Sequence, residues 1–111
     1  MKNKKNEEGN IDKSGSCAII TLFVDDTCYV ANVGDSRAIM STEGGKMAFN
    51  LSRDHRPSDH REQERILSAG GKVYRTEMTK LEGKSDRILG PLRILPGKLS
   101  VSRTIGDIEA K

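Results

Sequence analysis

The sequence contains no tryptophan and only two phenylalanines and two tyrosines among 111 residues. Any core must therefore be built from Ile, Leu, Val, Ala and Met. Two cysteines, Cys17 and Cys28, are too few for a disulfide framework and lack metal-cluster spacing. No apolar run approaches the roughly 18 residues of a membrane span, and the charged N-terminus leads into no signal-peptide-like stretch. Charge of one sign is also lacking. The net charge is +3, and basic residues alternate with acids, as in Arg53-Asp54-His55-Arg56 and Arg61-Glu62-Gln63-Glu64-Arg65. Without clustered Lys/Arg and aromatic stacking partners, nucleic acid is not an expected ligand. These absences lead us to expect a soluble intracellular protein, cytoplasmic or nuclear, with no membrane partner. The length suits one compact domain.

Hydrophobic residues make up 34% of the chain and charged residues 32%. Residues 1–13 are polar and aperiodic, which predicts a disordered tail or linker, with order starting at Ser14. Cys17 to Val24 is a continuous apolar run with β-branched members, the pattern of a strand buried on both faces. Asp25-Asp26-Thr27 is a turn, and Cys28 to Val33 a return strand. Further strands are expected at Arg37–Met40 and Met47–Leu51, separated by Glu43-Gly44-Gly45-Lys46. Four strands in so short a span predict an antiparallel β-meander.

The period then changes. Asp59 as N-cap with Glu62 at N3 matches a capping box, Ile66 and Ala69 share a face, and Gly70-Gly71 is a C-terminal stop. One helix over about 59–69 follows, packed on the sheet, which makes the fold class α+β. Lys72–Arg75 reads as a strand and Thr76–Ser85 as a polar loop. Gly90-Pro91 and Pro96-Gly97 read as turns, and Lys98–Arg103 as a short alternating strand.

Among candidate motifs, Ala31-Asn-Val-Gly-Asp-Ser-Arg37 is the most informative. Gly34 permits a tight turn after a strand, and Asp35 projects from the strand end. That carboxylate can be aimed at a hard divalent cation or can satisfy backbone groups of the turn. Ser14-Gly-Ser-Cys-Ala18 lacks the second glycine of a nucleophile elbow and reads as the start of a strand. In Asp54-His-Arg-Pro57, neighbouring side chains on an extended segment point in opposite directions, which favours a structural role for His55; His60 is expected at the surface. Gly83-Lys84-Ser85 mimics a P-loop tail, but Met78 stands where the pattern needs glycine. Asn50-Leu51-Ser52 matches a glycosylation sequon with nothing to indicate secretion. Ser102-Arg-Thr-Ile-Gly-Asp107 repeats a Gly-Asp pair, with Arg103 and Asp107 close enough in sequence for a structural ion pair.

Taken in order, Ser14-Gly-Ser-x-Ala18, Tyr29-Val-Ala-Asn-Val-Gly-Asp-Ser-Arg-Ala38, Leu51-Ser-x-Asp-His-x-Pro57, Glu64-Arg-Ile66 with Ala69-Gly-Gly71, and Gly97-x-Leu-x-Val-Ser-Arg-x-x-Gly-Asp107 resemble the metal-dependent serine/threonine protein phosphatases of the type 2C family. The resemblance covers residues 14–111. It implies a β-sandwich flanked by helices. It also implies a pair of Mg²⁺ or Mn²⁺ ions that activate a water for attack on phosphoserine or phosphothreonine in protein substrates. By the same resemblance Asp35 corresponds to a ligand of an accessory metal site. Gly34, Ser36, Arg37, Ser102, Arg103, Gly106 and Asp107 correspond to motifs that support the active site.

The chain also departs from the family pattern. The family's Asp-Gly-His-Gly block, its downstream Asp-Gly and Asp-Asn blocks, and its phosphate-gripping Arg have no counterpart here. Residues 14–111 are thus expected to be the central part of a catalytic domain, incomplete at both ends. They should contain no catalytic residue, bind metal weakly or not at all, and be inactive alone. Exposed strand edges would permit self-association. The alternative function is a catalytically dead, phosphatase-like scaffold that binds protein partners.

Overall fold

Val24 and Thr27 face each other across a two-residue turn in which Asp25 takes a left-handed conformation, φ 50°. Asp tolerates that region, and such a turn matches the twist of the strands it joins. The computed structural model describes residue 5 and residues 8–79 and 87–111. In chain order it contains β1 (Gly15–Ser16), β2 (Ala18–Val24), β3 (Thr27–Val33), β4 (Ile39–Thr42), β5 (Met47–Asn50), α1 (His60–Ser68), β6 (Lys72–Thr79), β7 (Arg87–Leu95) and β8 (Ile105–Gly106). Every ladder is antiparallel, and with one α-helix the class is α+β as expected.

The expected four-strand meander resolves instead into two hairpins, β2–β3 and β4–β5, each a separate two-stranded sheet. The reason lies between them. After Val33 the backbone is diverted: Gly34 takes φ 115°, and both its polar groups are taken by His55, whose Nδ1 accepts from Gly34 N and whose N donates to Gly34 O. Further on, Ala38 N donates to Ser52 Oγ at 2.8 Å, and Ala38 O accepts from Leu51 N at 2.8 Å. These bonds tie residues 34–38 to residues 51–55 in place of a strand partner, and β4 begins at Ile39, not at Arg37 as expected.

Helix α1 follows its sequence closely at both ends. Asp59 caps it by accepting from Arg61 N and Glu62 N. At the other end Gly71 N donates to Ile66 O and Gly70 N to Leu67 O, with Gly70 at φ 83°. That pair of bonds is the Schellman stop. Half of the capping box is missing, however. Asp59 N donates to Arg56 O, and the Glu62 carboxylate turns inward.

β6 and β7 correct three expectations. The strand that begins at Lys72 runs on to Thr79, so residues 76–79 are not loop. The remainder of that loop, with Gly83-Lys84-Ser85, lies outside the described residues. Gly90-Pro91 is no turn; it sits inside β7 opposite a bulge between Arg75 and Glu77. Proline has no N–H to give the ladder, and a bulge is where a strand can accommodate it. Last, Lys98–Arg103 is not a strand. Leu99 forms a single bridge with Ile94, and Ser102 N is drawn to His55 O at 2.9 Å. The C-terminal pairing is supplied by β8 on β1. Of residues 1–13, expected as a tail, Lys5 and Ile11 form an isolated bridge, while residues 1–4 and 6–7 lie outside the described residues.

The core is small. Ile66 and Ile94 are the large apolar side chains that reach burial among the described residues, and Pro57 is fully buried as well. Ala69, expected on the packed face, is exposed. So are β2's Ile20, Leu22 and Phe23, at 62%, 56% and 73%. The accessible surface is 9051 Å², against about 6,000 Å² for a compact protein of this mass. Its radius of gyration is 18.4 Å, where a compact chain would have about 13 Å. One compact domain was expected from length; the sequence buries far less than that. The strands are paired as four separate two-stranded antiparallel ladders, in keeping with an α+β segment.

Candidate functional site

His55 is the joint of the site. Its ring and N–H hold Gly34, and its carbonyl accepts from Ser102 N. Three stretches far apart in sequence, residues 34–37, 54–57 and 102–107, are thereby tied through one residue. Asn32 reinforces the joint from β3, donating through Nδ2 to Gly34 O at 3.1 Å and Arg53 O at 2.8 Å. Any residue but glycine at 34 would be strained, because a Cβ there would fall on the Cys17 side chain and φ is positive.

One row of charges runs along the first two stretches. Arg37 grips Asp54 with both ends of its fork, Nε to Oδ1 at 2.9 Å and Nη2 to Oδ2 at 2.8 Å. That bidentate hydrogen bonding holds the Asp54 carboxyl below its ordinary range and raises Arg37. Arg56 makes looser contacts, 3.6 Å to Asp54 Oδ2 and 3.4 Å to Asp35 Oδ2. Asp54 and His55 do point apart as adjacent residues on an extended segment should, one to the arginines and one to Gly34.

The second cluster centres on Glu62, whose side chain is 6% exposed. Ser102 Oγ donates to its Oε2 at 2.6 Å. Arg103 Nη2 donates to Oε1 at 2.7 Å, and Arg103 Nε to Oε2 at 3.0 Å. Arg65 Nη2 bridges Oε2 at 2.9 Å and Ser102 O at 2.7 Å. With Arg103 the foremost cause, these donors outweigh burial and push Glu62 far below the usual glutamate value, while Arg103 is raised. The anticipated Arg103–Asp107 pair is therefore not formed: the guanidinium faces Glu62. Asp107 instead accepts from Thr104 Oγ1 at 2.6 Å and rests against Gly15, where any Cβ would overlap its carboxylate. Gly106, at φ 80°, packs on Ser14 O for the same lack of a Cβ.

The site residues read from sequence thus fall into two clusters. Gly34, Asp35, half-buried Ser36 and Arg37 lie on one side of His55; Ser102 and Arg103 lie on the other, with Gly106 and Asp107 at the β1–β8 pairing. Sequence reasoning missed Glu62, Arg65, Asp54 and Arg56 as members. A signal existed for Glu62. It stands four residues before Ile66, on the buried stripe of α1, and a carboxylate there must find partners.

A divalent metal centre needs several oxygen ligands. Among the described residues no three His, Cys, Asp or Glu side chains are grouped to hold an ion. Asp35, the position the resemblance gives to an accessory metal, faces the Arg56 guanidinium at 3.4 Å. A cation beside that arginine would be repelled, so the residues present do not fit a two-metal shell.

Comparison with known proteins agrees with the motifs. The sequence model of the family described as protein phosphatase 2C matches residues 1–111, so the match extends through the tail as well. The chain is 39% identical to probable protein phosphatase 2C 15 of Arabidopsis thaliana over 98% of its own length and 24% of that protein's. It is 39% identical to probable protein phosphatase 2C 60 of the same plant, covering 88% of this chain and 22% of the relative. Probable protein phosphatase 2C 5 of Paramecium tetraurelia is 38% identical over 88% of this chain and 27% of its own. No solved structure gives a significant match. The chain belongs to the protein phosphatase 2C family. It spans about a quarter of the length of the curated relatives it matches.

Proposed function

We propose that this chain serves the metal-dependent hydrolysis of phosphoserine and phosphothreonine in protein substrates, as a structural part of a catalytic domain and not as an enzyme by itself. Membership of the family supports the reaction class. The observation that carries the division of labour is the pairing of Asp35 with Arg56 at 3.4 Å, with no group of three or more His, Cys, Asp or Glu side chains among the described residues to hold an ion. Two cations bridging a hydroxide need several anionic ligands, and one carboxylate already facing a guanidinium does not suffice. On this reading Gly34, Ser36 and Arg37, with Ser102, Arg103, Gly106 and Asp107, keep a scaffold in shape through His55 and Glu62, and the Mg²⁺ or Mn²⁺ chemistry is done by groups outside these residues.

The purified 111-residue chain is expected to leave p-nitrophenyl phosphate intact in the presence of Mn²⁺ and to give at most one weak heat of Mn²⁺ binding. Turnover above the metal-only background, or tight binding of two ions, would overturn the proposal. The competing function is a non-catalytic scaffold that binds protein partners, for which the exposed apolar faces of β2 and β3 speak. Restored turnover on mixing with the remaining family blocks would decide for the catalytic role.

A further inference from the structure

Beside the Arg56–Ser58 corner a cleft of about 420 Å³ opens toward the β6–β7 hairpin. Arg56, Ser58 and Asp35 line one side; Arg75, Pro91 and Ser100 line the other. Of the residues at the β6 bulge between Arg75 and Glu77, Arg75 faces the cleft. Gly90, whose missing Cβ leaves room for Thr76, and Pro91, which has no N–H, let β7 bow at this point. A bulge also re-aims the side chains next to it, and Arg75 is adjacent.

The donors in this cleft are not used up. Arg37 saturates Asp54 with two bonds of 2.8–2.9 Å, which leaves Arg56 with contacts of 3.4 and 3.6 Å. Among the described residues Arg75 has no acidic partner. Two guanidiniums and one carboxylate leave a local surplus of one positive charge, with the Ser58 and Ser100 hydroxyls at the same cleft. Planar forks with free N–H groups match the oxygens of a tetrahedral anion.

We propose that this cleft is an oxyanion subsite of phosphoryl class, in which Arg75 and Arg56 bind the anion and Asp35 weakens its hold by repulsion. The phosphoryl group is either free inorganic phosphate or one carried on a peptide. Binding here needs no hydrolysis and no metal, so it stands apart from the catalytic role proposed above. It also assigns Asp35 the opposite sign of effect from a cation ligand.

The test is a titration of the 111-residue chain at constant ionic strength and about pH 7.5, where phosphomonoesters are largely dianionic. The side-chain Nε–H resonances of the arginines are followed by NMR, first with inorganic phosphate and then with a phosphoserine peptide. Saturable shifts at Arg56 and Arg75 are expected, while Arg61 on α1 stays unmoved. Arg75→Ala should lower the affinity about tenfold, the usual worth of a charged hydrogen-bond pair. Asp35→Asn should raise it about threefold, as loss of a screened repulsion predicts. Arg75 is exposed, so its replacement should leave the fold intact; should Arg75→Ala unfold, Asp35→Asn still decides. A phosphopeptide that binds tighter than phosphate identifies the peptide as the source, and equal affinities identify the free anion. Non-saturating shifts shared by all arginines, unchanged binding in Arg75→Ala, or weaker binding in Asp35→Asn would each overturn the assignment.

Discussion

Ser102 Oγ donates to Glu62 Oε2 at 2.6 Å across 40 residues of sequence. It is the shortest of the bonds that fasten α1 to the C-terminal loop. Glu62→Gln keeps the shape of the acceptor and discards its charge, leaving Arg103 and Arg65 without their counter-ion. We expect a loss of about 2 kcal/mol, below the full cost of breaking a buried pair because both arginines are about half exposed. Ser102→Ala should cost about 1 kcal/mol. The double variant should lose less than the sum, because both changes act on one network. Urea unfolding of the four proteins measures all three terms.

The same carboxylate sets an acid limit. Its folded-state pKa lies below the ordinary 4.5, so folding favours the ionised form. The stability that Glu62 contributes is present above the unfolded-state value and is lost as pH falls through the folded-state value. Asp54, also held low by Arg37, acts in the same direction. Unfolding free energy should be flat from neutral pH down to about 5 and then decline. In Glu62→Gln the decline should be shallower. A wild-type profile that rises on acidification would contradict the assignment.

Gly34 permits a sharper contrast. A methyl group there meets Cys17 and a φ of 115°, whereas Gly44, at φ 64°, has open space around it. Gly34→Ala should cost about 3 kcal/mol, combining backbone strain with overpacking, and Gly44→Ala about 1 kcal/mol from strain alone. Adding Cys17→Ala to Gly34→Ala removes the sulfur but leaves the residue 17 Cβ 2.6 Å from the new methyl, so it should recover only part of the packing cost and none of the backbone cost. Thermal melts by circular dichroism separate these outcomes.

What could be read from the sequence divides along physical lines. The hairpin at Asp25-Asp26, the cap at Asp59 and the stop at Gly70-Gly71 are local, each fixed by the conformational limits of two or three residues, and each stands where the residues put it. The run of Cys17–Val24 was legible as a strand but not in its surroundings. Its apolar character on both faces calls for layers above and below, and the described residues supply neither. Gly90-Pro91 misled because the dipeptide has two uses, a turn or a bulge, and the choice is made by the partner strand. Arg103 was paired with the wrong acid because Glu62 lies 41 positions away, whereas Asp107 lies close by; no rule of local spacing reaches that far. The convergence of Gly34, Asp54 and Ser102 on His55 is of the same non-local kind, and there the order of family motifs carried what periodicity could not.

The exposed strand faces lead to the last prediction. Ile20, Leu22 and Val24 alternate with Ile19, Thr21 and Phe23, so the two sets lie on opposite sides of β2. Members of both sets are open to solvent, Phe23 most of all at 73%. The surface in excess of a compact protein is about 3,000 Å², larger than the roughly 1,600 Å² of a standard protein–protein interface. A chain with Ile20, Leu22 and Phe23 uncovered on one strand, and with unpaired edges on each hairpin, is expected to associate with itself. Sedimentation velocity should show a weight-average mass that grows with concentration. Ile20→Lys and Phe23→Lys, which put a charge on either face, should each shift the distribution toward monomer, and the double variant further. Both positions lie away from the Glu62 and His55 clusters, so α1 should keep its helical signal throughout. A wild-type chain that stays monomeric at high concentration and unfolds in one sharp transition would refute self-association through β2.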